Sequence, residues 1–222
     1  MPPLRDYSGL DSETPKRMDT ASSATPAKRD LLKEFTRGKF AMWLFLGSDA
    51  MGFMGLIGAY MVLRISSANW IVEGRDPELG IPLTAFMTFV LILSSVTMVT
   101  AHAAITKGNQ KGLLRWLGLT ILGGAIFLGL QVYEWTHLIH LGLDPTSGNY
   151  AATFFGLTGF HGLHVAIGVI YLSCIWIRAK QGAYTATNNS PVELVGLYWH
   201  FVDLVWIVLF TILYLIPDSV PG

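Results

Sequence analysis

The sequence predicts an all-α integral membrane protein, a bundle of five transmembrane helices behind a polar N-terminal tail. Three observations carry that prediction. Of the 222 residues 52% are hydrophobic, and mean hydropathy is +0.47 even though residues 1–38 are plainly polar. The apolar residues are therefore concentrated further along, which is the composition of a membrane protein. Beyond Phe40 they fall into five stretches, each long enough to cross a hydrocarbon core about 30 Å thick, which takes roughly 20 helical residues. Finally, the basic residues flank those stretches unequally, as they do when a chain is inserted in one orientation.

Residues 1–38, including "DSETPKRMDTASSATPAKRD", mix charge with Ser, Thr and Pro. Such a segment buries too little apolar surface to offset the entropy of ordering, so a disordered cytoplasmic tail is expected. It is not a secretory signal, because the first apolar stretch is too long and begins too far in. The subunit-sized domain that follows runs over 39–217, with spans at about 40–63, 82–105, 113–141, 151–177 and 192–216. All five are apolar nearly all round, as helices in lipid must be.

Thirteen basic residues fall on one side: eight before Phe40, then Lys107, Lys111, Arg115, Arg178 and Lys180. Only Arg64 and Arg75 fall on the other. This asymmetry places the N-terminus in the cytoplasm and the C-terminus outside. Small residues recur in the first span (Gly52, Gly55, Gly58, Ala59) and the third (Gly123, Gly124, Gly129). At such spacing they predict close helix contact within the bundle.

Several function classes drop out early. Acidic and basic residues number 15 each, so no nucleic-acid partner is implied. One cysteine, Cys174, makes neither a disulfide framework nor a cysteine metal cluster; it reads as a small buried hydrophobe. No lysine lies within a span and there is no Gly-rich phosphate loop, which argues against a retinal Schiff base and a nucleotide site. The tryptophans lie mostly near span ends, as interface anchors and packing.

Chemistry, if present, rests on polar residues in the spans. An Asp at a helix centre costs about 2.5 to 3.5 kcal/mol on insertion scales, so each such group needs a partner or a role. Asp49, His161, His200 and Asp203 all lie eight to eleven residues into their spans. Their depth is near the midplane, and antiparallel neighbours can bring them together. Asp49 with His161 or His164, and His200 with Asp203 through an i,i+3 contact, are the expected pairings. A second group, "LQVYEWTHLIH", puts Glu134, His137 and His140 near the outer end of the third span. Glu193, just after Pro191, sits where an acid complements the dipole of a first helical turn.

A Glu-x-x-His beside a His-x-x-His raises a metal hypothesis. Membrane di-iron enzymes need several carboxylates or about eight histidines at one depth, and only six histidines exist here. Interhelical hydrogen bonding and a proton relay are the other readings, the latter including an independent transporter using Asp49, His161, His164, His200 and Asp203. No repeat between the halves and no pair of Gly/Pro-interrupted spans supports a transporter.

The stretches "GKFAMWLFLGSDAMGFMGLIGAYMVLR", "LGLTILGGAIFLGLQVYEWTHLI", "NYAATFFGLTGFHGLHVAIGVIYL" and "LVGLYWHFVDLVWIVLFTILYLIP" together resemble subunit III of the haem-copper oxidases, in its short five-helix bacterial form. The resemblance covers about Lys39 to Pro217. It implies a multi-pass accessory subunit of the bacterial inner membrane that packs with subunits I and II and with structural phospholipids. The implied chain carries no haem or copper of its own. Its implied role is to sustain proton uptake, stability and lipid or oxygen access in a partner that reduces O2 to water and pumps protons. It further implies that His161 and His164 are not metal ligands, that Glu134 is the buried glutamate near them, and that Asp49 stands where many cytochrome c oxidases carry glutamate. Aspartate there is similar to the quinol oxidases and to the subunit III-like proteins of nitric oxide reduction.

Overall fold

In a computed structural model the described residues are 26–67, 70 and 80–216. The expectation of a disordered tail falls largely on residues 1–25, outside the described residues. From Pro26 onward the backbone is already helical, so α1 (Pro26–Ser66) takes in the last part of the stretch assigned to the tail. The local reason is composition: "AKRDLLKE" consists mostly of strong helix formers following a proline suited to a first turn.

Four further helices follow: α2 (Ile81–Thr106), α3 (Gln110–His140), α4 (Asn149–Lys180) and α5 (Ser190–Phe210). The last continues through one π-helical turn, Thr211–Leu215. Five helices are long and apolar enough to span a membrane, over Arg37–Ser66, Ile81–Thr106, Gln110–His140, Asn149–Lys180 and Ser190–Leu215. Each coincides with an expected span.

The connections that end α2, α3 and α4 share one device. Gly108, Gly142 and Gly182 adopt φ of +74°, +85° and +73°, a region L side chains avoid. Each donates its N–H back across the last turn, to Ile105, Ile139 and Ala179, while the next residue reaches Ala104, Leu138 and Arg178. These paired bonds stop the helix and satisfy its orphan carbonyls at the membrane edge. Pro82 and Pro191 begin α2 and α5, where a missing N–H costs nothing.

Helices α2, α3, α4 and α5 close into a ring, each packed on the next and α5 on α2. Its centre holds Met87, Leu91, Phe127, Trp199 and Trp206, all essentially inaccessible. Trp199 and Trp206 correct the expectation that tryptophans serve chiefly at span ends. They lie in the interior of the ring, and each indole N–H finds a hydroxyl: Ser94 for Trp199 and Thr88 for Trp206, both at 3.0 Å.

The two glycine clusters behave differently. In α3, a Cβ on Gly123 would come within 2.8 Å of Ser94, and one on Gly124 within 2.6 Å of the Trp199 ring. That is the close contact expected. In α1, Gly52, Gly55 and Gly58 have nothing within 4 Å of an added Cβ. The expectation of tight packing fails there because α1 lies outside the ring, with only 11% of its apolar window buried against 50% for the last span. Cys174, expected to be buried, is exposed. In a membrane helix an apolar neighbourhood in sequence does not distinguish the interior from the lipid face.

Candidate functional site

The polar side chains within the spans sort into three groups, each at an interhelical seam. The first joins α1 to α4. Asp49 Oδ1 lies 3.1 Å from His164 Nε2. The two ring nitrogens of His164 have different tasks: Nδ1 lies 2.7 Å from the carbonyl oxygen of Phe160, which can only accept, so Nδ1 carries a proton. Nε2 and Asp49 then share one proton between them. Whether it rests on the ring or on the carboxyl, the pair carries no net charge, which is what a membrane interior demands. Asp49 Oδ2 has no hydrogen-bond partner among the described residues. Phe53 of α1 closes the pair from below, with its ring 5.2 Å from His164 and 4.9 Å from Phe160. Of the two expected partners for Asp49, the structure selects His164.

His161, one helical turn away, points elsewhere. It is 0% exposed, lies against Trp206 with ring centroids 4.9 Å apart, and meets the edge of Phe127. Neither of its ring nitrogens has a hydrogen-bond partner among the described residues. The His-x-x-His spacing therefore does not make a site. One histidine faces α1 and the other fills the ring, since three residues advance a helix by about 300° and α4 is packed on both sides.

The second group joins α2 to α5. His200, expected to touch Asp203 directly, instead has its Nδ1 2.8 Å from the Oγ of Ser95. Asp203 is 7% exposed, and its Oδ1 has no hydrogen-bond partner among the described residues. At the nearer end of the same seam, Glu193 takes a 2.6 Å ion pair from Lys39. Besides complementing the first turn of α5, it ties α1 to that helix.

The third group centres on Glu134 of α3. Thr84 of α2 donates to Oε1 at 2.8 Å and Tyr214 donates to Oε2 at 3.0 Å. Tyr214 lies within the π turn, a form that occurs mostly as single turns inside α-helices. His137 and His140 do not join Glu134. Both are exposed, His137 stacking on Tyr133 and His140 turning back to the carbonyl of Thr136. Among the described residues no three His, Cys, Asp or Glu side chains converge as a metal site.

Sequence reasoning missed the partners supplied by α2. Thr84, Thr88, Ser94 and Ser95 receive or hold groups from α3 and α5. The signal was present as hydroxyl residues recurring at helical spacing in "TAFMTFVLILSS", a pattern that marks the seam side of an otherwise apolar helix. Gln131, which donates to the carbonyl of Thr158 at 3.0 Å, is the corresponding link between α3 and α4.

The family model for cytochrome c oxidase subunit III matches residues 28–217. Cytochrome c oxidase subunit 3 of a Synechocystis strain is 38% identical over 97% of this chain and 97% of its own length. The protein of the same name from Thermostichus vulcanus is 40% identical over 78% of this chain and 84% of its own. Quinol oxidase subunit 3 of Bacillus subtilis is 35% identical over the same shares, 78% and 84%.

Proposed function

The chain belongs to the cytochrome c oxidase subunit III family, and from that premise we propose that it works as a redox-silent partner of the catalytic core, subunits I and II. It is a multi-pass inner-membrane protein and an accessory subunit of a bacterial haem-copper oxidase. In this reading it binds no haem or copper. The observation that carries the reading is the disposition of its polar side chains: Asp49, His164, Glu134 and His200 are each engaged across a seam between helices, and among the described residues no set of ligands converges. Haem and copper in the partner subunits would supply electron transfer and O2 reduction. This chain's own residues hold a proton at Asp49–His164 and keep the bundle rigid beside the core.

Support of proton uptake, of lifetime during turnover, and of lipid and oxygen access is the activity assigned to it here. Asp49 is the residue best placed for it. It is the mid-span acid on the helix outside the ring, and its second carboxylate oxygen has no hydrogen-bond partner among the described residues. Structural phospholipids are expected along the exposed apolar face of α1, which includes Leu44, Met51, Met54 and Val62.

The electron donor has two readings. Relatives carry the names of both cytochrome c and quinol oxidases, and Asp49 favours the quinol reading by the likeness noted for this position. Mild-detergent affinity purification of this chain from its native membrane decides it. Haem and copper should co-purify, with activity toward either reduced cytochrome c or a quinol. A chain that arrives alone and moves protons in liposomes overturns the accessory reading.

A further inference from the structure

Where the start of α3 meets the end of α4, two hydrogen bonds set the register of the pair. The Gln110 side chain donates to the carbonyl of Ala179, and Trp176 Nε1 donates to that of Leu114 at 3.0 Å. Gly118, one turn further along α3, leaves room for the same indole, whose Nε1 lies 3.6 Å from an added Cβ. One position before these seam residues stand Leu113, Leu117 and Ile175, all buried in the ring. One position after them stand Lys111, Arg115 and Leu119 on α3, and Ile177 and Lys180 on α4, all exposed. Each such step turns a helix by about 100°, and in an antiparallel pair both turns go to the same side. These five residues therefore line one groove, on the side of the seam that faces away from the ring interior.

The groove is charged at its mouth and apolar further in. The register sets Lys111 level with Lys180 and Arg115 level with Trp176, and Lys180 Nζ is held 4.4 Å from the centroid of the Trp176 ring. Leu119, Leu122 and Ile126 then continue the Arg115 face of α3 at helical spacing, 41%, 54% and 41% exposed. No acid answers the three cations. Between residues 80 and 192 the acidic residues are Glu134 and Asp144, both toward the other end of α3, and Glu193 is held by Lys39. Orienting a chain in the membrane asks for basic residues at one end but for no particular face; Arg178, two positions after Trp176, serves that need from another side of α4. Cations gathered from two helices above an apolar stripe match an amphiphile of negative charge, whose phosphate oxygens accept from Arg and Lys. We propose that the outward α3–α4 groove binds an anionic phospholipid, its phosphate held by Lys111, Arg115 and Lys180 and one acyl chain laid along Leu119, Leu122 and Ile126. A soluble anion would leave the stripe uncovered. The site lies on a different helix pair from the α1 face, and it deepens the reading of bound structural phospholipid by naming the headgroup donors.

Photo-crosslinking in the assembled complex, reconstituted in phosphatidylcholine nanodiscs, tests the site. Phosphatidylglycerol and phosphatidylcholine probes carrying the same photoreactive acyl chain are added in trace amounts, and the cross-links are mapped by mass spectrometry. The phosphatidylglycerol probe should label the 119–126 segment about tenfold more than the phosphatidylcholine probe. That preference should vanish in Arg115→Gln/Lys180→Gln and persist in Arg178→Gln, which removes a charge from the same end of the bundle. Equal labelling by the two probes overturns the proposal, as does a preference that survives the double substitution. A preference lost equally in Arg178→Gln means general charge attraction and overturns it too. No labelling by either probe means that a partner subunit covers the groove, which also overturns it. Haem and copper are counted in the same samples, so failure of the lipid site is distinguishable from failure of the accessory reading.

Discussion

The ring of α2–α5 and the lone α1 obey different rules within one chain. In the ring, Gly123, Gly124 and Gly168 are closely approached by neighbours, Trp199 and Trp206 donate to hydroxyls, and the large side chains at the centre are inaccessible. In α1 the glycines face open space, and attachment comes from a few side-chain pins. These are Lys39 with Glu193, Asp49 with His164, Phe53 with Phe160, and, at the far end, the edge-to-face stack of Tyr60, Trp70 and Tyr150. Without a hydrophobic drive between helices in lipid, association depends on backbone approach and hydrogen bonds. The ring uses both. Helix α1 uses chiefly the second, so its position should be the more sensitive to single polar substitutions and the ring the more sensitive to volume.

The largest expected effect is in the ring. Gly124→Val should prevent accumulation of folded chain, because its Cβ alone would meet the Trp199 ring at 2.6 Å and a Val169 methyl at 2.7 Å. Overpacking of this kind costs about 1–3 kcal/mol or more, and membrane expression with thermal unfolding in detergent measures it. Next comes the Glu134 cluster. Replacing Tyr214 by Phe removes one donor to the carboxyl, which should cost about 0.6 kcal/mol and at most about 1.7 by analogy with interhelical hydrogen bonds in membranes. Thr84→Val should act similarly and add to the loss less than independently, since both donate to one carboxyl.

Substitutions at Asp49 separate pin from proton. Asp49→Ala should loosen α1 by about 1 kcal/mol and shorten the working life of the complex. Asp49→Asn keeps a donor for His164 Nε2 but removes the shared proton, so α1 should stay attached while turnover lifetime or proton uptake still falls. Wild-type lifetime and proton uptake in Asp49→Asn, with the loss confined to Asp49→Ala, would make the pair a pin only. The smallest effect belongs to Gly55→Ala and Gly58→Ala, which meet nothing within 4 Å. Unchanged unfolding temperature there, against collapse at Gly124, is the sharpest form of the comparison.

The span count and limits were legible because a membrane imposes a length and an apolar composition that local sequence displays. Legible too was the depth of Asp49, since helical rise converts position into distance. What remained hidden was direction around each helix axis. The two histidines of "GFHGLHV" look equivalent in sequence, yet His164 faces α1 and His161 fills the ring. The glycine clusters of α1 and α3 look alike, yet Gly123 and Gly124 are packed whereas Gly129 of α3 and Gly52, Gly55 and Gly58 of α1 are not. Soluble helices reveal their inner face by an apolar stripe, whereas spans that are apolar all round do not. The hydroxyl residues of α2 were the remaining directional signal, and they mark the seam that receives α3 and α5.

The accessory role is tested most directly by preparing the oxidase complex with and without this chain and measuring haem and copper per catalytic core alongside the number of turnovers before inactivation. The account predicts unchanged haem and copper and an unchanged initial rate of electron transfer, with a shorter run of turnovers in the depleted complex. Loss of metal or haem in proportion to loss of the chain would contradict it.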